Sequence, residues 1–168
     1  MKIEIRLTSE LKAAERRHID DWLLQVLGTD EYEWSGFDWR VLVRVGGSVV
    51  GHVGIVARVV TVDGQSARLG GIGGVATLPE WRGYGFASAA LAEAAVFIRD
   101  ELGVEFGLLV CTEDLVPFYR KLDWEVVEGP TVFDQPGGKV TFPDVTMVLS
   151  CTGRRWPEGT TDLCGLPW

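Results

Sequence analysis

The hexapeptide Arg82-Gly83-Tyr84-Gly85-Phe86-Ala87 lies between a strand-like segment, residues 74–78 (GVATL), and an alanine-rich helical segment that extends to about Leu102. Small residues at such a junction let the backbone approach a ligand closely, and the first amides of the helix have no intrahelical partners. The helix dipole adds about half a unit of positive charge at the same end, and Arg82 can add a charge-assisted hydrogen bond. The junction therefore predicts a site for a pyrophosphate group.

A second interpretation of the hexapeptide is a helix entry that needs glycine only for its backbone geometry. Other phosphate-binding patterns fit the sequence less well. It has no G-x-x-x-x-G-K-S/T, and no G-x-G-x-x-G with an acidic residue about 20 positions later. A pyrophosphate site at the helix entry stays the better interpretation.

The composition indicates one globular domain that spans residues 1–168 and ends in an aromatic tail at residues 156–168. Hydrophobic residues make up 46% of the 168 residues and charged residues 24%, which is ordinary for a globular protein. No apolar run reaches the ~18 residues that a membrane-spanning helix needs, and the charged residues 1–6 (MKIEIR) do not resemble a signal peptide. We expect a cytoplasmic protein that does not enter a membrane.

The charge and the cysteine content exclude several partners. The net charge of -8 argues against nucleic acid or an anionic membrane as a partner. Three cysteines and two histidines are widely spaced and match no zinc pattern, so no metal site is expected.

The periodicity of apolar residues predicts an α/β fold with a mixed sheet. Glycine and Asp-Gly joints separate several of the elements. The predicted strands are residues 2–7, 39–45, 48–62, 66–78, 106–111, 124–133 and 140–150. The predicted helices are residues 11–28, which begins after the hydroxyl residues Thr8 and Ser9, 86–102 and 113–122.

Arg82, Gly85 and Ala87 match the Arg/Gln-x-x-Gly-x-Gly/Ala motif of the GCN5-related N-acetyltransferase (GNAT) family, which this segment resembles. The order of predicted elements over residues 1–150 is also typical of that family. The resemblance implies the GNAT fold, a central mixed and mostly antiparallel β-sheet flanked by helices, and it implies acetyl-CoA as the cosubstrate. The specific motif itself covers only residues 74–87.

The resemblance also implies roles for individual residues. Val75 N–H is the candidate donor to the thioester oxygen. Tyr119, in the run PFYRKLDW, corresponds to a tyrosine that protonates the departing sulfur; the alternative is a core aromatic packed beside Phe118. The residues expected to contact coenzyme A are Gly74, Val75, Thr77, Arg82, Gly83, Tyr84, Gly85, Phe86 and Ala87.

The sequence does not identify a general base. An alkylammonium with a pKa of about 10.4 costs about 4–5 kcal/mol to deprotonate at neutral pH. His52 lies on a predicted strand, where a packing role is as plausible as a role as the base. Glu113 and Asp114 lie at the start of the predicted helix that carries Tyr119, and helix capping explains both.

Within the family, the chain looks most similar to the aminoglycoside 2'-N-acetyltransferases, through residues 52–58, 74–76 with 81–83, 118–119 with 124, 129–131, 143–144 and 162–168. In those enzymes carboxylates bind the cationic sugar, among them the C-terminal carboxylate. The resemblance assigns these roles to Asp30 (or its neighbour Asp38), Asp144 and Trp168. One departure stands out: the resistance enzymes carry a glutamate, used as a water-relayed base, where this chain has Gly73.

Residues 29–38 are rich in acidic and aromatic side chains, which suit an aminoglycoside, although a solvated acidic loop would have the same composition. A weaker likeness to nodulation-type N-acyltransferases leaves an aminosugar acceptor open. A polyamine, a protein N-terminus and a non-catalytic acyl-CoA-binding role also stay open. Members of the family are often dimers, so the apolar tail has two expected uses, pairing of two protomers in a homodimer or lining of the pocket.

Overall fold

The structure is a computed structural model that describes residues 1–28 and 32–168. Its three helices are α1 (Ala13–Leu27), α2 (Phe86–Asp100) and α3 (Val116–Arg120). Short 3-10 turns cover Thr8–Glu10, Pro79–Trp81 and Glu113–Leu115. Among these residues no helix has the length and apolar character to cross a bilayer.

One ten-stranded sheet organises the described part of the chain. The strands are β1 (Lys2–Leu7), β2 (Trp39–Val45), β3 (Ser48–Val62), β4 (Gln65–Thr77), β5 (Phe106–Cys111), β6 (Glu125–Val126), β7 (Thr131–Gln135), β8 (Gly138–Thr141), β9 (Val145–Ser150) and β10 (Thr161–Asp162). The pairs β4–β5 and β7–β10 are parallel, and the remaining pairs are antiparallel. The predicted fold, a mixed and mostly antiparallel sheet flanked by helices, is therefore confirmed.

Strands β2, β3 and β4 form the middle of the sheet and are covered on both faces. Successive side chains of a strand point to opposite faces. Val41 and Val43 of β2 accordingly pack in the cluster that contains the buried face of α2. Leu42, between them, packs in the cluster that contains the buried face of α1. The two long helices thus cover opposite faces of the sheet.

Helix α2 lies close to the sheet because two strands have glycine beneath it. A Cβ at Gly70 of β4 would lie 2.6 Å from Ile98 Cγ2, and a Cβ at Gly107 of β5 would lie 3.0 Å from Ile98 Cδ1. Ile98 itself is fully buried. These two glycines set the distance between α2 and the sheet.

The second half of the chain is more interrupted than the sequence predicts. The predicted strand 124–133 is two strands: β6 pairs with β9, whereas β7 pairs with β8 and β10. Gly129, at φ +98°, lies between them. The predicted strand 140–150 is also two, β8 and β9, with Pro143, which has no N–H to donate, in the interruption. Turn chemistry therefore outweighs the apolar run in both places.

Two further predictions are wrong in detail. Helix α1 begins at Ala13 and has no side-chain N-cap, because Thr8 lies in a separate 3-10 turn. The tail, which carries no strand signal, supplies β10, which pairs with the end of β3 and with the start of β7. Through β10 the tail connects the β7–β8 hairpin to the central sheet.

We expect Gly70→Ala to lower the free energy of unfolding by about 1–3 kcal/mol, because the added methyl group overlaps Ile98 and must displace α2. Urea denaturation followed by circular dichroism measures the change. Gly137→Ala is the matched control, because its Cβ would meet no atom within 4 Å and its φ is not positive. Equal stability of the two variants would show that α2 does not depend on close approach at Gly70.

Candidate active site

Strands β4 and β5 separate part of the way along their length. They pair in parallel from Leu69↔Phe106 to Gly71↔Leu108, where the ladder ends. Beyond that point β4 continues to Thr77 beside β3, and β5 continues to Cys111 beside β9. The strands diverge at their carboxyl ends, so main-chain N–H and C=O groups along the opening can bond to an amide-bearing ligand.

A β-bulge lies on β4 at the start of this opening. Gly73 is opposite Gly54 and Ala76 is opposite His52, so two residues of β4, Gly74 and Val75, face one residue of β3. Gly74 has φ +55°, the left-handed conformation of a G1-type bulge. The bulge turns the peptide group between Gly74 and Val75 out of the regular ladder.

Glycine is required at position 74 for space as well as for φ. A Cβ there would lie 3.0 Å from the Phe37 ring and 3.2 Å from His52 Cε1. Phe37 and His52 are themselves in contact, with ring centroids 5.6 Å apart. The bulge is therefore enclosed by two aromatic rings.

His52 is buried and bonds to the bulge. Its Nδ1 lies 2.7 Å from the carbonyl oxygen of Gly74, and its Nε2 lies 3.5 Å from Arg40 Nη1. Burial, together with the smaller effect of the neighbouring Arg40 charge, lowers the pKa of His52 to about 3 against the opposing effect of the Gly74 bond. The ring is neutral at physiological pH and 1% exposed, which does not suit the role of base for a solvent-borne amine.

The predicted pyrophosphate motif surrounds a cavity of about 260 Å³ at the N-terminus of α2. Gly83 (φ +83°) and Gly85 (φ +78°) both adopt left-handed conformations, and a Cβ at either position would meet no atom within 4 Å. Glycine is therefore needed at both positions for backbone geometry rather than for space. The residues that line the cavity are Thr77, Trp81, Arg82, Gly83, Gly85, Phe86, Ala87, Ser88 and Phe118.

Most of the predicted coenzyme A residues are thus together at one cavity. Arg82 is exposed at its edge and donates from Nε to the Thr77 carbonyl oxygen at 3.3 Å. Tyr84 is 68% exposed and stacks on Phe86 rather than lining the cavity. Gly74 and Val75 lie two to three residues before Thr77 on the same strand, at the bulge.

Tyr119 is buried in the core beside the cavity. Its ring makes edge contacts with Phe118, at 5.0 Å between centroids, and with Trp124, at 6.4 Å. Of these three aromatic residues, Phe118 lines the cavity. Burial raises the pKa of the Tyr119 hydroxyl, so the phenol keeps its proton. Cys111, in the same cluster, has a pKa raised to about 11, chiefly by burial, which makes it a poor nucleophile.

The tail lies on β4 immediately before the bulge. The Trp168 indole occupies the space that a side chain at Gly71 would need, and a Cβ at Gly73 would lie 2.9 Å from the Trp168 carbonyl carbon. Arg58 packs over the indole at 4.9 Å from the ring centroid. Ser35 N donates to the Pro167 carbonyl oxygen at 2.7 Å. The loop that carries Phe37 and the tail therefore meet over the bulge.

The predicted acceptor carboxylates occupy different positions. Asp30 lies outside the described residues. Asp38 is exposed but already accepts a hydrogen bond from Ala57 N at 3.0 Å. Asp144 is exposed at the start of β9, next to Val145, which pairs with Cys111 at the end of β5. Trp168 thus packs on β4, and Asp144 lies next to the strand that pairs with β5.

Sequence reasoning missed the two aromatic neighbours of the bulge. Phe37 and the bond from His52 to Gly74 depend on strand register, which the sequence does not give. A signal was present in residues 70–74 (GGIGG), because glycine inside a strand often marks a bulge or a close approach.

Comparisons with known proteins agree with the fold. The model of the acetyltransferase (GNAT) domain family matches residues 28–127, more than half of the chain. An aminoglycoside 2'-N-acetyltransferase from Mycolicibacterium fortuitum is 25% identical over 126 residues. That match covers 71% of this chain and 64% of the relative, which is less than two thirds of the relative's length.

Solved structures share the architecture at low identity. The GNAT family N-acetyltransferase YhbS from Escherichia coli, in complex with CoA, is 17% identical with a TM-score of 0.65, covering 98% of this chain and 91% of that one. A GNAT family acetyltransferase from Brucella melitensis, in complex with acetyl-CoA, is 17% identical with a TM-score of 0.63, covering 95% and 94%. Escherichia coli ElaA is 15% identical with a TM-score of 0.64, covering 89% and 99%.

The depressed pKa of His52 predicts how stability depends on pH. Between the ordinary pKa of 6.5 and the folded value of about 3, the unfolded chain binds a proton that the folded chain does not. The free energy of unfolding therefore falls as pH falls, by at most about 1.4 kcal/mol per pH unit from this group. The pKa of Glu4 is held at about 2 by hydrogen bonds from Lys2 and Arg44. This group therefore lowers the free energy of unfolding further only when the pH falls below its ordinary pKa of 4.5.

Urea denaturation between about pH 7 and pH 4.5 isolates the contribution of His52. We expect His52→Asn, which does not titrate, to flatten the slope in this range. Parallel slopes for wild type and His52→Asn would contradict the prediction.

Proposed function

The chain belongs to the GNAT acetyltransferase family, and from this we propose that it transfers the acetyl group of acetyl-CoA directly to an amine of an aminoglycoside. Acetyl-CoA as the donor and the amine as the acceptor are both part of this proposal. The observation that carries the proposal is the position of the cavity at the N-terminus of α2. Its lining includes Thr77, which follows the bulge on the part of β4 that no longer pairs with β5.

Coenzyme A fits this site by charge and by hydrogen bonding. The first amides of α2 and the exposed Arg82 guanidinium are donors for the pyrophosphate. The pantetheine arm carries amides of its own, which can pair with the edge of β4 at Gly74, Val75 and Thr77. In this arrangement the thioester lies at the bulge, and Val75 N–H is the donor to its oxygen.

Tyr119 is proposed as the acid that protonates the departing sulfur. In water a phenol with a pKa near 10 gives its proton to a thiolate with a pKa near 8.5 at a cost of about 2 kcal/mol. Burial raises the pKa of Tyr119 further, but the same surroundings also raise the pKa of a thiolate formed beside it. The two pKa values therefore move together, and the buried phenol remains a competent donor.

The acceptor side is proposed to lie between the loop that carries Phe37 and the tail. The Trp168 main-chain carbonyl group lies on Gly73, one residue before the bulge, so its oxygen can bind an ammonium group beside the thioester. Asp144 is an exposed carboxylate next to Val145, which pairs with the end of β5. The similarity to an aminoglycoside 2'-N-acetyltransferase supports a polycationic sugar as the ligand of these acceptors.

The bonding of Asp38 favours a second candidate acceptor. Its carboxylate already accepts a bond from Ala57 N and faces the Arg58 charge. With that oxygen engaged, Asp38 has less capacity to bind an ammonium group. An aminosugar with one amine is therefore the alternative substrate.

Thiol release from acetyl-CoA, measured against aminoglycosides with and without a 2'-amine, tests the acceptor. Turnover only on compounds with the 2'-amine is the expected result, because the chain is similar to a 2'-N-acetyltransferase. Turnover on aminoglycosides without it would keep the acceptor class and change the amine. Turnover on a simple aminosugar alone, or on no amine while coenzyme A binds, would overturn the aminoglycoside proposal.

Tyr119→Phe tests the proposed acid. We expect kcat to fall by about 10²-fold or more, because the variant removes the proton donor and keeps the ring. The affinity for coenzyme A, measured by calorimetry, should stay at the wild-type value, since Phe118 rather than Tyr119 lines the cavity. Circular dichroism and urea denaturation of the variant beside wild type are the control for loss of the fold. An unchanged kcat in Tyr119→Phe would remove the acid assignment.

A further inference from the structure

We propose that His52 is a positioning residue for acetyl transfer. By donating its Nδ1–H to the Gly74 carbonyl oxygen, it fixes the orientation of the peptide group whose N–H belongs to Val75. This inference rests on the proposed function, because it places the thioester of acetyl-CoA beside Val75.

The link from His52 to Val75 is the planarity of the peptide group. The Gly74 carbonyl and the Val75 N–H belong to the same peptide unit, and the structure contains no cis peptide bond among its described residues. In a planar trans peptide the C=O and N–H point in opposite directions. A ring that holds the oxygen on one side of β4 therefore directs the Val75 amide to the other side.

The peptide needs this support because the regular ladder between β3 and β4 does not hold it. It lies in a bulge, where two residues of β4 face one residue of β3 and the regular ladder is interrupted. Gly74 populates left-handed and right-handed conformations about equally, and the adjoining Gly73 adds further freedom. The bond from His52 gives the Gly74 carbonyl the partner that the interrupted ladder does not.

Other buried groups fix the direction from which His52 donates. The Arg40 guanidinium can only donate, so His52 Nε2 accepts and the proton of the neutral ring lies on Nδ1. Arg40 is 5% exposed and is held by Asp20 at 2.7 Å. The ring also packs edge-on against Trp22 and against Phe37. A single tautomer in a fixed orientation therefore faces Gly74.

Two substitutions separate the hydrogen bond from the packing. His52→Leu fills part of the space without a donor, and we expect kcat to fall by about 10²-fold, the cost of losing one donor to a developing oxyanion. His52→Asn places an amide N–H where Nδ1 stands, so kcat should recover to within about tenfold of wild type. The affinity for free coenzyme A, which lacks the thioester, should stay the same in both variants. His18→Leu is the control for loss of a histidine on the surface.

Nuclear magnetic resonance tests the same inference without an acceptor amine. In wild type, the Val75 amide should shift differently on binding acetyl-CoA than on binding coenzyme A. We expect this difference to vanish in His52→Leu and persist in His52→Asn. The ring nitrogens of wild-type His52 should show a neutral imidazole protonated at Nδ1, a readout that holds even if His52→Leu does not fold.

The outcomes distinguish this inference from the proposed function. Wild-type protein that acetylates no tested amine would overturn the acceptor, and a Val75 difference that vanishes in His52→Leu and persists in His52→Asn would still support the role of His52. Equal losses of kcat in His52→Leu and His52→Asn would overturn that role, because packing alone would explain them. A ring protonated at Nε2, or a Val75 amide that does not distinguish acetyl-CoA from coenzyme A, would also overturn it.

Discussion

The close approach of other groups to the backbone of β4 is the constraint on which the rest of the structure depends. Ile98 of α2 packs on Gly70, the Trp168 indole on Gly71, and the Phe37 ring against Gly74. A side chain at any of these glycines would displace a helix, the tail or the loop before β2. Four glycines in five residues weaken a strand, and here they let a helix, the tail and the loop before β2 pack directly on β4.

The sequence predicts the architecture of the first two thirds of the chain well, because strong periodicity and clear turns mark its elements. The strands β1, β2, β3 and β5 have the predicted bounds. After α3 the apolar runs are short and include Gly129 and Pro143, so each of two predicted strands divides in two. The strand in the tail, Thr161–Asp162, could not be predicted, because only pairing with β3 and β7 extends it.

The candidate site was predictable where local chemistry defines it and unpredictable where register does. Gly83 and Gly85 have the left-handed backbone that the helix entry implies. The position of His52 opposite Ala76, which brings its ring to the bulge, depends on an insertion of one residue in the pairing of β3 with β4. No pattern in the sequence encodes that shift, so the histidine alone suggested both a base and a packing residue.

The same sterics explain the departure at Gly73. A Cβ at that position would lie 2.9 Å from the Trp168 carbonyl carbon and 3.2 Å from Phe37. The side chain of a glutamate at position 73 would therefore overlap the tail in its present place. Real Cβ atoms do not approach main-chain carbons so closely, and the tail could move only by breaking the bonds of Ser35 to Pro167 and of Arg58 to Leu166. In this chain an oxygen of the tail, rather than a side chain of β4, lies next to the bulge, and we propose that the tail or water bound to it takes the place of the glutamate.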